Sequence, residues 1–294
     1  MNARPHAVCA IVGYDGSPEA SAVIDVGAAL FPQARVWMTH MWSPPFASET
    51  LRRRLWAGTG HVDDFVDAIE REGEREAARI AGVGVTLAKA AGWDAEPLVR
   101  RIYGGEGLEF AQLAEKYDPD LVLLGSRGLG GTSAALGSVS DVAAHYTPRP
   151  VLVAPHPMLI AEQEALPAGP VLVGWDGSLG AEAAYGTAVR LFPAREVLLV
   201  HVEQAGGEPH PGVAEDGGRE VVTVRAGHRH GRSAHAVAEA LAGTARKRGA
   251  ALLVVGTQGR SMVREMLIGS VTMGTLHLAH RPVMVVPRRD PTST

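Results

Sequence analysis

The chain of 294 residues repeats itself, and no other feature narrows the possible folds as much. "VGYDGS" at 12–17 returns as "VGWDGS" at 173–178, "LFP" at 30–32 as "LFP" at 191–193, and "THMW" at 39–42 as "VHVE" at 200–203. These three pairs share an offset of 161 (173 − 12, 191 − 30, 200 − 39). "LVLLGSRG" at 121–128 returns as "LLVVGTQG" at 252–259 with an offset of 131. "GSVS" at 137–140 matches "GSVT" at 269–272, and "RPVLVAP" at 149–155 matches "RPVMVVP" at 281–287, both with an offset of 132. A period this long excludes a solenoid and means two copies of one domain in tandem. We place them at 1–157 and 168–290, joined by the loop-like "HPMLIAEQEALPAG", residues 156–169.

Within a copy, short apolar runs alternate with helical patterns. "AVCAIVG", "RVWMTHMW", "LVLLG" and "PVLVAP" read as strands buried on both faces. Ser17 and Pro18 fit the N-cap and first position of the helix after the first strand. Val23, Val26 and Leu30 share one face of it, and Phe110, Leu113, Ala114 and Tyr117 mark a later helix. Strands separated by helices imply right-handed βαβ units and a parallel sheet of five strands per copy. The first copy carries a long polar helical region near 47–91. The second has a glycine-rich loop there, at 203–220.

Composition excludes several function classes. Net charge is −4, with no basic excess for nucleic acid or an anionic membrane surface. Apolar runs such as "VLLVHV" are too short to cross a bilayer. Cys9 is the sole cysteine, so no disulfide can form within the chain, and a cytoplasmic setting is expected. No G-x-x-x-x-G-K-[ST] is present, nor a G-x-G-x-x-G after the first strand.

The remaining signal lies beyond two strand ends. In an open parallel sheet, ligands bind past the C-terminal ends of the strands, where strand order reverses. Gly256 closes an apolar run, Gly259 follows, and Gly269-Ser270-Val271-Thr272 opens the next helix. Glycines allow close main-chain approach to a phosphate, and a helix start offers unpaired N–H groups. Asp176, with Asp15 as its twin, ends the first strand of its copy and can accept from ribose hydroxyls or an adenine amino group.

In these motifs the chain resembles the universal stress proteins. Nucleotide-binding members of that family carry G-x2-G-x9-G-[ST]. The second copy matches it at Gly256, Gly259, Gly269 and Ser270; the first has Gly125 and Gly128, then eight residues before Gly137 and Ser138. Gly130 and Gly131 lie in the shortened stretch, and whether this copy binds is left open. The resemblance implies two Rossmann-like domains of the adenine nucleotide alpha hydrolase type, related by a pseudo-twofold axis. Their last strands would pair, and ATP, with or without Mg²⁺, would sit in the clefts. It implies an adenine contact from Met41 or Val202 and adenosine contacts from Asp15 or Asp176. Phosphate contacts would come from Ser138, Val139 and Ser140, or from Ser270, Val271 and Thr272. Arg127, inside the first glycine turn, could also meet a phosphate.

Other residues favour plainer roles. His228, His230 and His235 have no Cys or carboxylate cluster beside them, so no metal is assigned to the protein alone. His40 and His201 read as satisfied core histidines, and His145 and His277 as structural. No catalytic residue is assigned. An ATP-binding regulatory or stress-response protein is expected, with a slow ATP hydrolase and a non-nucleotide scaffold as alternatives. A further homodimer and an unidentified protein partner stay open.

Overall fold

The computed structural model describes residues 7–43, 62–126, 136–203, 219–227, 233–257 and 268–288. In the first copy β1 (Cys9–Gly13), α1 (Pro18–Leu30), β2 (Arg35–Trp42), α2 (Val62–Ala90) and β3 (Asp94–Arg101) precede α3 (Glu106–Tyr117), β4 (Leu121–Gly125), α4 (Ser138–Tyr146) and β5 (Val151–Ala154). After α5 (Ile160–Ala165), the second copy runs β6 (Val171–Gly174), α6 (Leu179–Leu191), β7 (Val197–Glu203), β8 (Val221–Arg225), α7 (Ser233–Lys247), β9 (Leu252–Gly256), α8 (Ser270–Leu278) and β10 (Val283–Val286). The join is therefore not all loop. Glu162 Oε2 accepts the Leu159 N–H at 3.0 Å and starts a short helix there.

All ten strands form one sheet in the order β3-β2-β1-β4-β5-β10-β9-β6-β7-β8. Each half is parallel, and the halves meet through antiparallel β5 and β10, as the resemblance implied. The pairing is centred on Leu152 opposite Met284. These are equivalent residues of the two copies, so the pseudo-twofold axis passes between them, normal to the sheet. Both are completely buried.

Side-chain alternation divides the core into two layers. Val12, Leu123, Leu152, Val173, Val254 and Met284 face one layer with α1 and α6. Ile11, Val122, Val153, Leu172, Leu253 and Val285 face the other. The ends of α1 and α6 meet at Phe31 and Phe192, whose rings lie 5.0 Å apart. Arg190 pairs with Asp120 at 2.6 Å across the two copies.

Ser17 caps α1 by accepting the Ala20 N–H at 3.0 Å, and Pro18 follows at the first helical turn. Ser178 caps α6 in the same way, at 3.1 Å to Ala181 N. In the first copy α2 lies against β2 and β3, and a Cβ on its Gly84 would come within 2.7 Å of the Tyr14 ring. In the second copy Arg219 stands over Trp175 and Tyr185, bound to Glu182 at 3.0 Å. Residues 204–218, most of the expected glycine-rich loop, lie outside the described residues, as do 44–61 of the expected helical region. No described helix is long and apolar enough to cross a membrane.

Candidate functional site

Strand order reverses between β1 and β4 in the first copy and between β6 and β9 in the second. Those of the expected residues that are described gather at these two switch points, on the ends of adjacent strands. Asp15 and Asp176 each use one oxygen to accept the N–H of the serine two residues on, at 2.9 and 3.0 Å. This local turn holds each carboxylate at the strand end beside the helix start.

The second strand of each copy outruns the first. The Thr39 carbonyl accepts from the Tyr14 N–H at 2.9 Å, and the Val200 carbonyl from the Trp175 N–H at 2.8 Å. In a parallel strand, alternate residues direct both main-chain groups to the same side. Met41 and Val202, two residues further on, therefore present N–H and C=O toward the cleft, beyond the last residue of β1 or β6. Their side chains pack into the core layer opposite α1 and α6. His40 and His201 stand between these positions. The Nδ1 of each lies 2.8 or 3.0 Å from the carbonyl oxygen of Tyr14 or Trp175. A carbonyl only accepts, so Nδ1 carries the hydrogen, and these histidines fix the strand end.

The glycine motifs close alike in both copies. The Gly137 N–H donates to Ser126 O at 2.7 Å, and the Gly269 N–H to Thr257 O at 2.7 Å. Ser126 and Thr257 in turn donate to Ala154 O and Val286 O on the neighbouring strands. The one-residue difference in loop length leaves this stem unchanged. Arg127, Gly128 and Gly259 lie outside the described residues, as do Gly130, Gly131, His228 and His230.

Two assignments acquire a different physical basis. A Cβ on Gly256 would lie 2.5 Å from the carbonyl oxygen of Gly180 in α6. This glycine is required by main-chain packing, whatever else approaches it. Ser140 and Thr272 are buried and donate their hydroxyl hydrogens inward, to Gly125 O at 2.6 Å and Gly256 O at 2.7 Å. They tie helix to strand and do not aim an O–H at the cleft.

The helix starts stand at the same switch points. Gly137 and Gly269 occupy the N-cap positions of α4 and α8 in extended conformation, with no side-chain hydrogen bond to the first turn. The first capped bonds belong to Asp141 and Met273. The N–H groups of Ser138, Val139 and Ser140, and of Ser270, Val271 and Thr272, therefore precede the helical ladder. Such an end attracts an anion by about 0.3–2 kcal/mol. By contrast, the helices after β1 and β6 are capped by serine side chains.

One inter-copy contact had no sequence signal. The Leu136 N–H, just before α4, points to Nδ1 of His277 in α8 of the other copy, at 3.4 Å. His145, its twin, instead bonds its own helix at Asp141 O, 2.8 Å away. Only long-range pairing of β5 with β10 brings Leu136 and His277 together. Among the described residues no three His, Cys, Asp or Glu side chains cluster to hold a metal ion.

Comparison with known proteins agrees with this architecture. The model of the universal stress protein family matches residues 10–155 and again 168–287. A universal stress protein of Mycolicibacterium smegmatis is 28% identical over 302 residues, covering 95% of this chain and 97% of its own. The crystal structure of a universal stress protein from Archaeoglobus fulgidus DSM 4304 covers 96% of this chain and 97% of its own, with 21% identity and a TM-score of 0.63. A shorter universal stress protein, solved in complex with cAMP, matches 50% of this chain over 95% of its own, with 23% identity and a TM-score of 0.31.

Proposed function

The chain belongs to the universal stress protein family, and from that membership we propose that each copy holds an adenine nucleotide, ATP in the first instance, in a regulatory or stress-response role with little or no turnover. The observation that carries this reading is the contrast among helix starts. Those at β1 and β6 are closed by serines, whereas those at β4 and β9 begin at glycine, with no side-chain cap among the described residues. A polyphosphate supplies the acceptors and the negative charge that such amides favour. Ribose hydroxyls would meet Asp15 or Asp176. The main chain of Met41 or Val202 would meet the adenine edge. The phosphates themselves would carry any Mg²⁺.

The matching stems of the two glycine motifs support binding in both copies. A regulatory role draws on the Leu136–His277 contact, which links the lip of one site to the last helix of the other copy. A ligand that prefers one arrangement of that contact shifts the population toward it.

Substituting the capping glycines tests the proposal. In Gly269→Asp the carboxylate caps α8 and meets the helix dipole, so stability holds or rises by a few tenths of a kcal/mol. The same charge repels a phosphate. Titration calorimetry with ATP–Mg²⁺ should give two sites for the parent protein, one for Gly269→Asp or Gly137→Asp, and none for the double variant. A double variant that binds with parental affinity would refute this assignment. Acid-quenched incubation with labelled ATP should show little product.

A further inference from the structure

The two copies differ at the rim beside Met41. In the first copy the Ile102 N–H donates to Trp42 O at 2.9 Å, so the chain leaving β3 runs past the end of β2. It then turns through Gly104 and Gly105, with φ of 105° and 77°, into α3. That helix starts against the start of α4, where a Cβ on Gly107 would lie 2.9 Å from Val139 O. One turn on, Phe110 covers the end of β1, and a Cβ on Gly13 would come within 2.9 Å of its ring. Residues 103–105 therefore bridge from the strand ends beside Met41 to the glycine-started α4.

Tyr103 stands at the head of this bridge, 82% exposed yet held in place. The Arg101 guanidinium lies 5.2 Å from its ring centroid and donates to its phenol oxygen. Both carboxylate oxygens of Glu70, in α2, grip Arg101 in turn, at 2.6 and 2.8 Å. A ring restrained in this way has already lost much of its rotamer freedom, which lowers the cost of laying a flat ligand against it. In the second copy Glu203, the twin of Trp42, pairs with Arg225 as Trp42 pairs with Arg101, so the position matching Tyr103 is Gly227. We propose that Tyr103 stacks on the nucleobase of the ligand held by the first copy, a grip that Gly227 does not supply in the second. The inference rests on the nucleotide reading above. Main-chain groups at Met41 take the edge of the base, and its two faces are left for apolar or aromatic groups. Stacking is indifferent to which edge groups the base carries, so Tyr103 supplies affinity for a base as such, and the main chain beside it supplies the choice of adenine.

Titration calorimetry on the full chain tests this in the Gly269→Asp background, which confines ATP to the first copy. Adding Tyr103→Ala should weaken ATP–Mg²⁺ by about 5- to 150-fold, the range for one base stacked on one aromatic ring, with an unchanged thermal midpoint. Inorganic tripolyphosphate has no base and should bind within about twofold of the background protein. Tyr103→Phe keeps the ring and should hold ATP within about threefold. A fluorescent aminopurine nucleoside triphosphate should lose emission on binding the background protein and keep it when Tyr103→Ala is added. ATP affinity unchanged by Tyr103→Ala overturns the proposal and leaves the site standing. Equal losses for ATP and tripolyphosphate overturn it as well, because the ring then shapes the loop and does not meet the base. No heat with ATP in the parent protein overturns both the stacking and the nucleotide reading beneath it.

Discussion

Two glycines of the same motif should respond unequally to the same added methyl group, one losing stability and the other nearly indifferent. At Gly256 an alanine Cβ falls 2.5 Å from Gly180 O, 2.6 Å from Gly180 C and 2.9 Å from its Cα. Carbon and carbonyl oxygen approach to about 3.3 Å at closest. The first turn of α6 or the end of β9 must therefore move by roughly 0.8 Å. All three atoms are main chain, so no side-chain rotation relieves the overlap. Overpacking of this kind costs about 1–3 kcal/mol. The narrower unfolded ensemble of alanine returns about 0.4–1 kcal/mol. A net loss of about 1–2 kcal/mol lowers the melting midpoint by about 2–8 °C for a chain of this size. At Gly269, φ is −61° and ψ 147°, and the nearest atom to a new Cβ among the described residues is Thr257 O at 3.4 Å. Alanine is a poorer N-cap than glycine by under about 1 kcal/mol, and the unfolded-state gain offsets most of that. Gly269→Ala should stay within about 0.5 kcal/mol of the parent. Differential scanning calorimetry and urea titration of both variants make the comparison. Equal stability of the two, or a greater loss at Gly269, would refute the packing account of Gly256.

Thr272→Val keeps volume and removes the hydrogen bond to Gly256 O, which should cost about 1–3 kcal/mol of stability as read by the urea midpoint. Nucleotide affinity should change less than about tenfold, because one hydrogen bond is worth about 1 kcal/mol and this hydroxyl hydrogen points into the protein; a larger loss would restore the Thr272 hydroxyl, beside its N–H, as a phosphate donor. Burial pushes the Cys9 thiol above its ordinary range, with Arg35 opposing and Asp120 assisting. A folded value above the unfolded one favours the neutral thiol, so its contribution is complete below the unfolded value of about 8.5 and fades as pH rises through the folded value. Thermal midpoints from pH 8 to 10, roughly, should fall less steeply in Cys9→Ala than in the parent, and parallel curves would contradict the assignment.

The interior strands were legible because burial on both faces makes them continuous apolar runs, as in "LVLLG" and "LLVVG". β3 was harder to see. It is an edge strand with Asp94, Glu96 and Arg101 exposed and Pro97 within it, so neither alternation nor a buried run marks it. The short α5 was also missed: six residues span less than two turns, too few for a periodic signal, and its start depends on one carboxylate bond.

By itself the amino-acid sequence determined the duplication, the order of the main elements and the parallel halves, and it singled out the strand ends proposed as the site. Those properties follow from patterns between near neighbours and from repetition, which a linear chain displays. Only the tertiary structure decided that Gly256 answers to Gly180, that Ser140 and Thr272 turn their hydroxyls inward, and that the join seats Met158 and Leu166 against the core layer of α1 and α6. Each depends on atoms brought together by pairing β5 with β10 or by seating a helix on the sheet, and distance along the chain carries no record of that proximity.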